Sequence, residues 1–577
     1  MSVGLLPRKN PPGFGAASLF VLPALLAVAL FTLYPLLEVV RLAFYRWDGY
    51  GTQTFIGLGN IRFLASNDVT RIAFEHSLLW LLAAAVIPTA AGLALALLTR
   101  RAGAGSIWLG VIFFPVLMPP TAVAAIWLLV LSPTSGPVNQ LLGDAGLHQF
   151  STAPLGDPRQ ALTALFVAWV WSTVGVGMLL FWSGLRGIGV EFYQMAKVEG
   201  AGSWWRMVHV TLPALRRVAA VVALVNVVLA GQVFDLIYVT TGGGPGYATL
   251  ILPLDMYARA FGGKTGQGSA VALAQILLIA IMVALILSLS RDHEPFGTGE
   301  PPASRRPSIS TTSTAAVAAF LSLLPLLWLL RALALPGRAL ALGNATPTMS
   351  AVSDNVRSAW DAGMSSALPR SLLLAVAVVA GTLTIAVPAA YSLSSLIRKG
   401  SLRVIVLAVL TLCLIQPAPV LVIPLFSLLR NLNLLDNPLG IVLPEIARAI
   451  PFAILAIWAG ISGLAREQLL AARADGATSW QSMWLVVLPL AAPAVWVAAA
   501  WAFLTSWNEY LLPTVVSQDG SLATVPTTLG SFAGAYDTQF GVLAAGTAIA
   551  LAPIMLLYLV VSAPAGRAAI ALRGRLR

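Results

Sequence analysis

The side chains that most often carry catalysis are few in this chain and do not cluster. Its 577 residues include four histidines and one cysteine, Cys413, which lies in an apolar segment. Disulfides and cysteine-rich metal sites are therefore excluded. The one stretch similar to a phosphate-binding loop, Gly263-Lys264-Thr265, has Ala258 where the leading glycine belongs. We predict that the chain is not an enzyme and has no catalytic residue, metal or cofactor.

Polar side chains inside long apolar segments are the remaining candidates for a functional site. A charged group in a spanning helix costs about 2.5 to 3.5 kcal/mol on insertion scales, so such groups mark transport pathways by default. Amides and carboxylates pair with hydroxyls, and aromatic faces cover the C–H side of a sugar ring, so these side chains would suit a passage for sugars. The alternatives are hydrogen bonds between helices or, for Asp235 and Glu509, a place at the membrane surface. The candidates are Asn226, Gln232, Asp235, Tyr238, Asn508, Glu509 and Tyr510.

Membrane-spanning helices must position these residues, because the composition excludes a soluble globule. The chain is 58% hydrophobic and 10% charged, with a mean hydropathy of +0.86. Its long segments are continuously apolar rather than alternating, which indicates helices of about 20 residues and not barrel strands. Prolines such as Pro115, Pro119, Pro120 and Pro424 predict kinks. The segments lie near 17–40, 77–99, 107–131, 161–185, 218–240, 270–290, 315–335, 371–396, 403–429, 439–462, 490–513 and 541–563.

Clusters of Lys and Arg set the predicted topology. With the N-terminus inside, the clusters around Arg100, Arg216, Arg305 and Arg398 all face the cytoplasm. This topology accounts for the net charge of +12, so we expect no nucleic-acid partner.

Residues 291–314, rich in Pro, Ser and Thr, have the composition of a flexible cytoplasmic connector. The connector separates a first half, 1–290 with a transmembrane core at about 72–290, from a second half, 315–577 with a core at about 368–563. Each half has an even number of spans, which predicts parallel repeats about an axis along the membrane normal. The predicted fold is an all-α membrane protein of two six-helix repeats.

One segment of the first half recurs in the second, 276 positions later. Residues 182–213 match 458–489, and nine of the twenty positions between 194–213 and 470–489 are identical without a gap. This identity indicates that one unit has been duplicated. Both copies lie on the predicted cytoplasmic side.

Each copy is predicted to form a helix-turn-helix projection. Gly200 and Gly476 can adopt the left-handed conformation that ends a helix, and Ser203 and Ser479 are predicted to cap the next one. Its apolar face is predicted to contain Trp204, Met207, Trp480 and Met483. Such a face needs a partner, and two matched projections suit a partner that is itself a symmetric dimer. The alternative is that each loop packs only on its own bundle.

These copies resemble the EAA loop of permease subunits in binding-protein-dependent ABC importers, a signature of roughly Glu-Ala-Ala, three residues, Gly, nine or more residues and Ile-x-Leu-Pro. The first copy reads Gln194-Met195-Ala196, Gly200 and Val210-Thr211-Leu212-Pro213, and the second reads Leu470-Ala471-Ala472, Gly476 and Val486-Val487-Leu488-Pro489. Both lack the first glutamate of the triplet. By this resemblance, the residues that couple the chain to an ATPase are Glu191, Ala196, Glu199, Gly200, Ala201, Pro213, Glu467, Ala472, Asp475, Gly476, Ala477 and Pro489.

Four other stretches are similar to the carbohydrate branch of that family, which includes maltose-type and glycerol-phosphate-type systems. Residues 238–245 (YVTTGGGP) and 56–60 (IGLGN) look like the first permease subunit, whereas 506–510 (SWNEY) and 434–437 (LLDN) look like the second. The chain thus resembles the two subunits fused, first then second.

The resemblance implies a type I ABC importer permease in the bacterial inner membrane. Its implied partners are a cytoplasmic ABC ATPase dimer, an extracytoplasmic solute-binding protein, the lipid bilayer and a small-molecule solute, expected to be a sugar. The rival interpretation is an ion-coupled secondary transporter of twelve helices, which would show the same halves and connector.

Overall fold

The computed structural model describes residues 14–99, 107–133, 153–290, 309–336, 346–396, 401–462, 474–534 and 540–575, together with positions 136, 137, 139, 140 and 145. These residues form helices and one small hairpin, whose strands are β1 (Tyr45–Arg46) and β2 (Thr54–Phe55), with Tyr45 opposite Phe55.

The first half consists of two helices before the hairpin and a series of helices after it. Its α-helices are α1 (Phe14–Val28), α2 (Tyr34–Leu42), α3 (Gly59–Ser66), α4 (Asp68–Thr99), α5 (Ile107–Phe113), α6 (Pro120–Val130), α7 (Ala161–Arg186), α8 (Val190–Val198), α9 (Ser203–Arg206), α10 (Leu212–Gly231), α11 (Asp235–Thr240), α12 (Leu252–Phe261) and α13 (Thr265–Leu289). A 3₁₀ turn spans Phe114–Leu117, and π-helical turns span Ala29–Leu33 and Met207–Thr211.

The described helices of the second half follow a similar but not identical order. Its α-helices are α14 (Ile309–Leu333), α15 (Met349–Ala359), α16 (Ser365–Tyr391), α17 (Ser401–Ile415), α18 (Ala418–Asn431), α19 (Pro438–Ser462), α20 (Ser479–Ser482), α21 (Leu488–Leu490), α22 (Ala492–Trp507), α23 (Leu511–Val516), α24 (Val525–Gly534) and α25 (Phe540–Arg575). Its π-helical turns are Trp360–Met364, Ser392–Leu396 and Met483–Val487.

The helices confirm the prediction of an all-α membrane protein. In the described part of the chain, nine helices are long and apolar enough to cross a bilayer, and three bent pairs raise the number to twelve if each pair is one span. The bends are 101° before Pro120, 100° before Ala418 and 83° before Ala492. The first bend lies at the prolines predicted to kink the chain, whereas Pro424 lies inside α18 and the bend comes before it.

The compact units do not follow the two halves of the sequence. One unit joins residues 1–38 to 369–416 and 424–523, and the other joins 39–368 to 417–423 and 524–577. In the first unit, α1 packs against α19, and in the second unit α14 packs against α4, α5 and α6. The first span of each half therefore lies with the core helices of the other half.

Close contact between small residues holds the first-half core together. Helix α4 packs along α7 where Gly92 meets Gly177, and a methyl group on Gly92 would lie 3.0 Å from the Gly177 carbonyl carbon. Such contacts bring helix backbones together in membranes, where water does not drive association. Helix α10 packs against both α4 and α7, so the span that carries most of the predicted passage residues rests on this contact.

A buried polar network holds α12 against the start of α4. The Arg259 guanidinium lies 2.8 Å from Asp255 Oδ1 and donates to Thr70 Oγ1 (2.7 Å), Asn67 Oδ1 (3.0 Å) and Gln267 Oε1 (3.2 Å). The side chains of Arg259 and Asp255 are only 11% and 5% exposed. The charges are paired and hydrogen-bonded, which is the condition under which a buried ion pair is tolerated.

We expect Arg259→Met to lower the free energy of unfolding by about 3–5 kcal/mol, because it leaves the Asp255 carboxylate buried without its counter-charge. The matched control is Arg71→Met, which removes an ion pair with Asp68 whose side chains are 66% and 82% exposed and should cost less than about 1 kcal/mol. Unfolding of the detergent-solubilised protein, followed by tryptophan fluorescence, measures both. Equal losses in the two variants would contradict the role assigned to the network.

Candidate functional site

The first of the duplicated loops ends its helix α8 in a Schellman motif. Gly200 has φ +80°, and its N–H donates to the Lys197 carbonyl at 3.1 Å, while the Ala201 N–H donates to the Ala196 carbonyl at 2.9 Å. This 6→1 and 5→2 pairing satisfies the last carbonyls of the helix and requires a left-handed residue at the turn. The spacing Ala-x-x-x-Gly-Ala therefore has a local structural cause.

The second loop has the same geometry where it is described. Gly476 has φ +84°, which confirms the left-handed conformation predicted for both glycines. Asp475 is exposed and Ala477 is partly buried. Two residues of the predicted coupling set, Glu467 and Ala472, lie outside the described residues. The helix that follows begins at Ser203 and Ser479, the π-helical turn at Met207 and Met483, and the next helix, which contains Pro213 or Pro489, at Leu212 and Leu488.

The serines predicted to cap these short helices do not occupy the capping position. Ser203 is the first helical residue after the cap Gly202, and Ser479 is the first helical residue after Thr478, whose hydroxyl accepts a backbone N–H of the helix. Thr478 Oγ1 accepts the Gln481 N–H at 3.2 Å, and Gln481 Oε1 accepts the Thr478 N–H at 2.9 Å. This is a capping box with glutamine at the third helical position. The prediction was one residue too far along, because Thr478 supplies the cap in the second loop and Gly202 occupies that position in the first.

One face of the first loop is attached to its own half. Ile188 is buried in a core cluster of mainly first-half residues, against which Phe192 and Tyr193 also pack. The Tyr193 hydroxyl lies 3.1 Å from Thr211 Oγ1 and so joins α8 to the π-helical turn. Glu191 lies in the first turn of α8, where a carboxylate is stabilised by the helix dipole.

The opposite face of the first loop is apolar and exposed. Val198 is 88% exposed, Trp204 79% and Met195 62%, and Glu199 and Gly200 are exposed beside them. The second loop exposes Trp480 (55%), whose ring stacks at 6.4 Å on Phe20 of α1. Met207 is half-buried and Met483 fully buried, so the methionines predicted for the apolar face point inward.

Both fifth spans break at matching positions. Helix α10 ends at Gly231 and the six-residue α11 begins at Asp235, while α22 ends at Trp507 and the six-residue α23 begins at Leu511. The two helix ends, Gly231 and Trp507, are 276 positions apart, and so are the two helix starts, Asp235 and Leu511. The segments 218–240 and 490–513, predicted to be single spans, are therefore each two helices separated by three residues.

At the first break, a neutral glutamine side chain binds the backbone. Gln275 Nε2, on α13, donates to the Gly231 carbonyl at 3.2 Å. Tyr238 stacks on Phe234 with centroids 5.1 Å apart and meets Tyr257 edge-on at 5.5 Å.

The predicted passage residues of the first half have two different environments. Gln232, Asp235 and Tyr238 are partly exposed. Asn226 is 1% exposed, and its Nδ2 donates to Thr89 Oγ1 on α4 at 3.2 Å. This contact is the helix-to-helix hydrogen bond that the sequence left open as an alternative.

Ionisable side chains accompany the second break, and two of them were not predicted from the sequence. Arg448 on α19 pairs with Glu509 and donates to the Thr505 carbonyl at 2.9 Å. Glu509 Oε1 accepts the Leu512 N–H at 3.0 Å, at the start of α23. Glu445 lies one turn before Arg448 and is 2% exposed. Charges three residues apart in an otherwise apolar span were the available signal. Of the predicted residues here, Asn508 is partly exposed and Tyr510 is 7% exposed.

Two of the short motifs have local structural roles. Asp436 Oδ1 accepts the N–H groups of Gln518 (2.6 Å) and Asp519 (3.1 Å), which fastens the loop before α19 to the end of α23. Hydrogen bonds from Ser521 hold the pKa of the exposed Asp519 carboxyl below its usual range. In the first half, Asn60 Nδ2 donates to the Ala43 and Tyr45 carbonyls at 3.0 and 2.8 Å, which fixes the hairpin.

Comparison with known proteins gives the same repeat. A family model, Binding-protein-dependent transport system inner membrane component, matches residues 73–292 and again 383–566. The chain is 33% identical over 275 residues to the probable ABC transporter permease protein YurN of Bacillus subtilis (strain 168), an alignment that covers 47% of this chain and 92% of that protein. It is 30% identical over 284 residues to the alpha-glucoside transport system permease protein AglF of Rhizobium meliloti (strain 1021), covering 48% and 82%.

Among solved structures, a bacterial ABC transporter involved in the import of the acidic polysaccharide alginate aligns with a TM-score of 0.42 at 18% identity. The alignment covers 48% of this chain and 95% of that one.

The corrected cap predicts a local effect. Thr478→Ala removes the side-chain acceptor of the Gln481 N–H, so hydrogen exchange at this amide should rise roughly 2- to 30-fold, the equivalent of the ~0.5–2 kcal/mol that such caps contribute. Ser479→Ala, the matched control, should leave that exchange unchanged. The assignment is wrong if the serine variant has the larger effect.

Proposed function

The chain belongs to the family of binding-protein-dependent transport system inner membrane components, and from that premise we propose that it forms the passage of an importer for a carbohydrate-class solute, driven by a separate ATPase. As a family member it is a multi-pass transport component of the inner membrane, and the family is not a class of enzymes. The observation that carries the proposal is that one chain has two family repeats, each with a copy of the same projecting loop.

The two loops are proposed to dock in clefts of a cytoplasmic ATPase dimer. The Schellman bonds of the first loop and the capping-box bonds of the second are proposed to make the loops rigid enough to transmit force. The exposed apolar side chains Val198, Trp204 and Trp480 need a covering partner. Closure of the dimer on ATP draws the loops together and switches the bundle between inward-open and outward-open states. The residues closest to the turn, Glu199, Gly200, Ala201, Asp475, Gly476 and Ala477, are proposed to enter the clefts.

The broken fifth spans are proposed to line the passage. Irregular backbone at membrane depth is tolerated where protein buries it or a water-filled cavity meets it. The partly exposed Gln232, Asp235, Tyr238 and Asn508 are the proposed solute contacts, since amides and carboxylates pair with hydroxyls and an aromatic face covers a sugar ring. Asn226, Glu509 and Tyr510, which are largely buried, are proposed to hold these contacts in place.

The solute class rests on resemblance. AglF, a relative at 30% identity, is named as an alpha-glucoside permease, and the stretches 238–245 and 506–510 are similar to the carbohydrate branch. A separate extracytoplasmic solute-binding protein is proposed to deliver the solute, as the name of the family indicates for its systems. The rival ion-coupled mechanism does not require the paired loops, and family membership favours the ATP-driven one.

Uptake by the reconstituted complex tests this proposal. The chain, its ATPase and its binding protein are placed in proteoliposomes and offered labelled maltose, glycerol 3-phosphate or arginine. ATP-dependent uptake of at least one of the two carbohydrate-class solutes is expected, and arginine should not enter. Uptake without the ATPase, or uptake driven by an ion gradient alone, would overturn the proposal.

Substitution at the loop glycines separates coupling from folding. A β-branched residue at φ near +80° is a backbone outlier, so Gly200→Val and Gly476→Val should distort the turn that enters the ATPase. We expect each variant to lower uptake per ATP hydrolysed by about 5-fold or more, in the range of allosteric coupling factors, while membrane insertion is retained.

Gly202→Val is the matched control for this prediction. Gly202 has an ordinary φ of −68°, and a methyl group added to it would have no atom within 4 Å, so the larger side chain should be accommodated. Wild-type uptake in the Gly200→Val, Gly476→Val double variant would show that the turns do not couple the ATPase to transport.

A further inference from the structure

The break in the fifth span of the second half is tied to the fourth span by charge. The Arg448 guanidinium on α19 pairs with Glu509 and also donates to the Thr505 carbonyl in the last turn of α22 at 2.9 Å. Glu509, whose side chain is 10% exposed, accepts the Leu512 N–H at 3.0 Å. One arginine therefore contacts the helix before the break and the residue that holds the helix after it.

A second carboxylate completes the cluster. Glu445 is 2% exposed and forms a hydrogen bond with Ser506 in the last turn of α22. Its Oε2 has no hydrogen-bond partner among the described residues. Ionisable groups at this depth are costly to bury and mark functional positions by default.

The first half shows that the break does not require these charges. At the positions 276 residues earlier, Glu445, Arg448 and Glu509 correspond to Trp169, Ser172 and Val233. Trp169 packs there against Trp80 and Phe166, with ring centroids 5.8 and 5.6 Å away, and the Ser172 hydroxyl donates to its own helix, to the Trp169 carbonyl at 2.8 Å. The same break forms in both halves, so a break at this position does not require charged groups, and those of the second half are available for a further role.

Helix α19, which carries Glu445 and Arg448, runs as one helix from Pro438 to Ser462, and residues 463–473 after it lie outside the described residues. Loop residues 474–489 lead without a gap through α20 and α21 into α22. Under the proposed function, a displacement of this loop shifts α22 relative to α19. Arg448 must then change its distance to Thr505 and Glu509. The energy of an ion pair that is partly shielded from water depends strongly on that distance, so the loop can bias the contact.

We propose that Arg448 is a positioning residue that transmits movement of the second coupling loop to the break at residues 508–510. The proposal rests on the proposed function, because the movement comes from the ATPase. Glu509 is the receiving group and Glu445 holds the last turn of α22 beside it. The first half lacks this connection, so the two breaks respond differently to the same ATPase cycle.

Hydrogen exchange in the assembled complex with its ATPase tests the proposal without knowledge of the solute. In the wild type, ATP with vanadate should change the exchange rates of residues 509–516 and of the loop residues 474–489, each by about 5- to 150-fold. Arg448→Met should keep the response of the loop and reduce the response of 509–516 to within about twofold. Arg448→Lys, which retains the charge, should restore part of the response.

Two further variants keep the outcome decisive. Glu509→Gln preserves an acceptor for the Leu512 N–H but removes the charge, so it should reproduce the Arg448→Met result even where the methionine variant assembles poorly. Ser172→Ala, at the matching position of the first half, should leave both responses unchanged. A wild-type response of 509–516 in the Glu509→Gln variant overturns the inference. Loops that do not respond to nucleotide in the wild type overturn the proposed function instead.

Discussion

Backbone groups set free where a membrane helix breaks must find partners inside the protein, because lipid provides none. Both fifth spans are subject to this constraint, since each stops at the same repeat position. The carbonyls there are met by side chains from neighbouring helices, Gln275 for Gly231 and Arg448 for Thr505. Gln275 lies on the sixth span and Arg448 on the fourth, so a different neighbouring span meets a carbonyl near the break in each half. Partly exposed polar side chains lie at both breaks.

The duplicated loops meet the same requirement outside the membrane core. Gly200 and Ala201 donate their N–H groups to carbonyls at the end of α8, and Thr478 with Gln481 satisfies the start of α20. These bonds satisfy backbone groups at the turn of the first loop and at the helix start of the second, while apolar side chains of both loops stay exposed. Under the proposed function, such internally bonded segments transmit a displacement to the helix that follows them.

The spans and the loop glycines could be predicted from sequence, because continuous apolar runs and a 276-residue repeat are direct signals. The breaks could not, since no proline interrupts 218–240 and the hydropathy stays high across Gly231. Arg448 was missed for a related reason: polar groups were sought on the fifth span, whereas the partner lies on the fourth. The exchange of first spans between the compact units has no sequence signal at all, because apolar faces of similar composition do not specify which bundle they join. The assignment of solute contacts remains a prediction.

Duplication produced two similar loops but two unlike breaks, and the difference has a physical consequence. An amide bonded to a carbonyl, as at Gln275, contributes on the order of 1 kcal/mol and can be exchanged for water at little cost. A guanidinium that bridges a carboxylate and a carbonyl in a partly dry site is harder to separate, because removal of either partner leaves a charge without compensation. The second break is therefore the more firmly held of the two. Under the proposed function, a symmetric input at the loops meets unequal resistance, and we expect the first half to yield first.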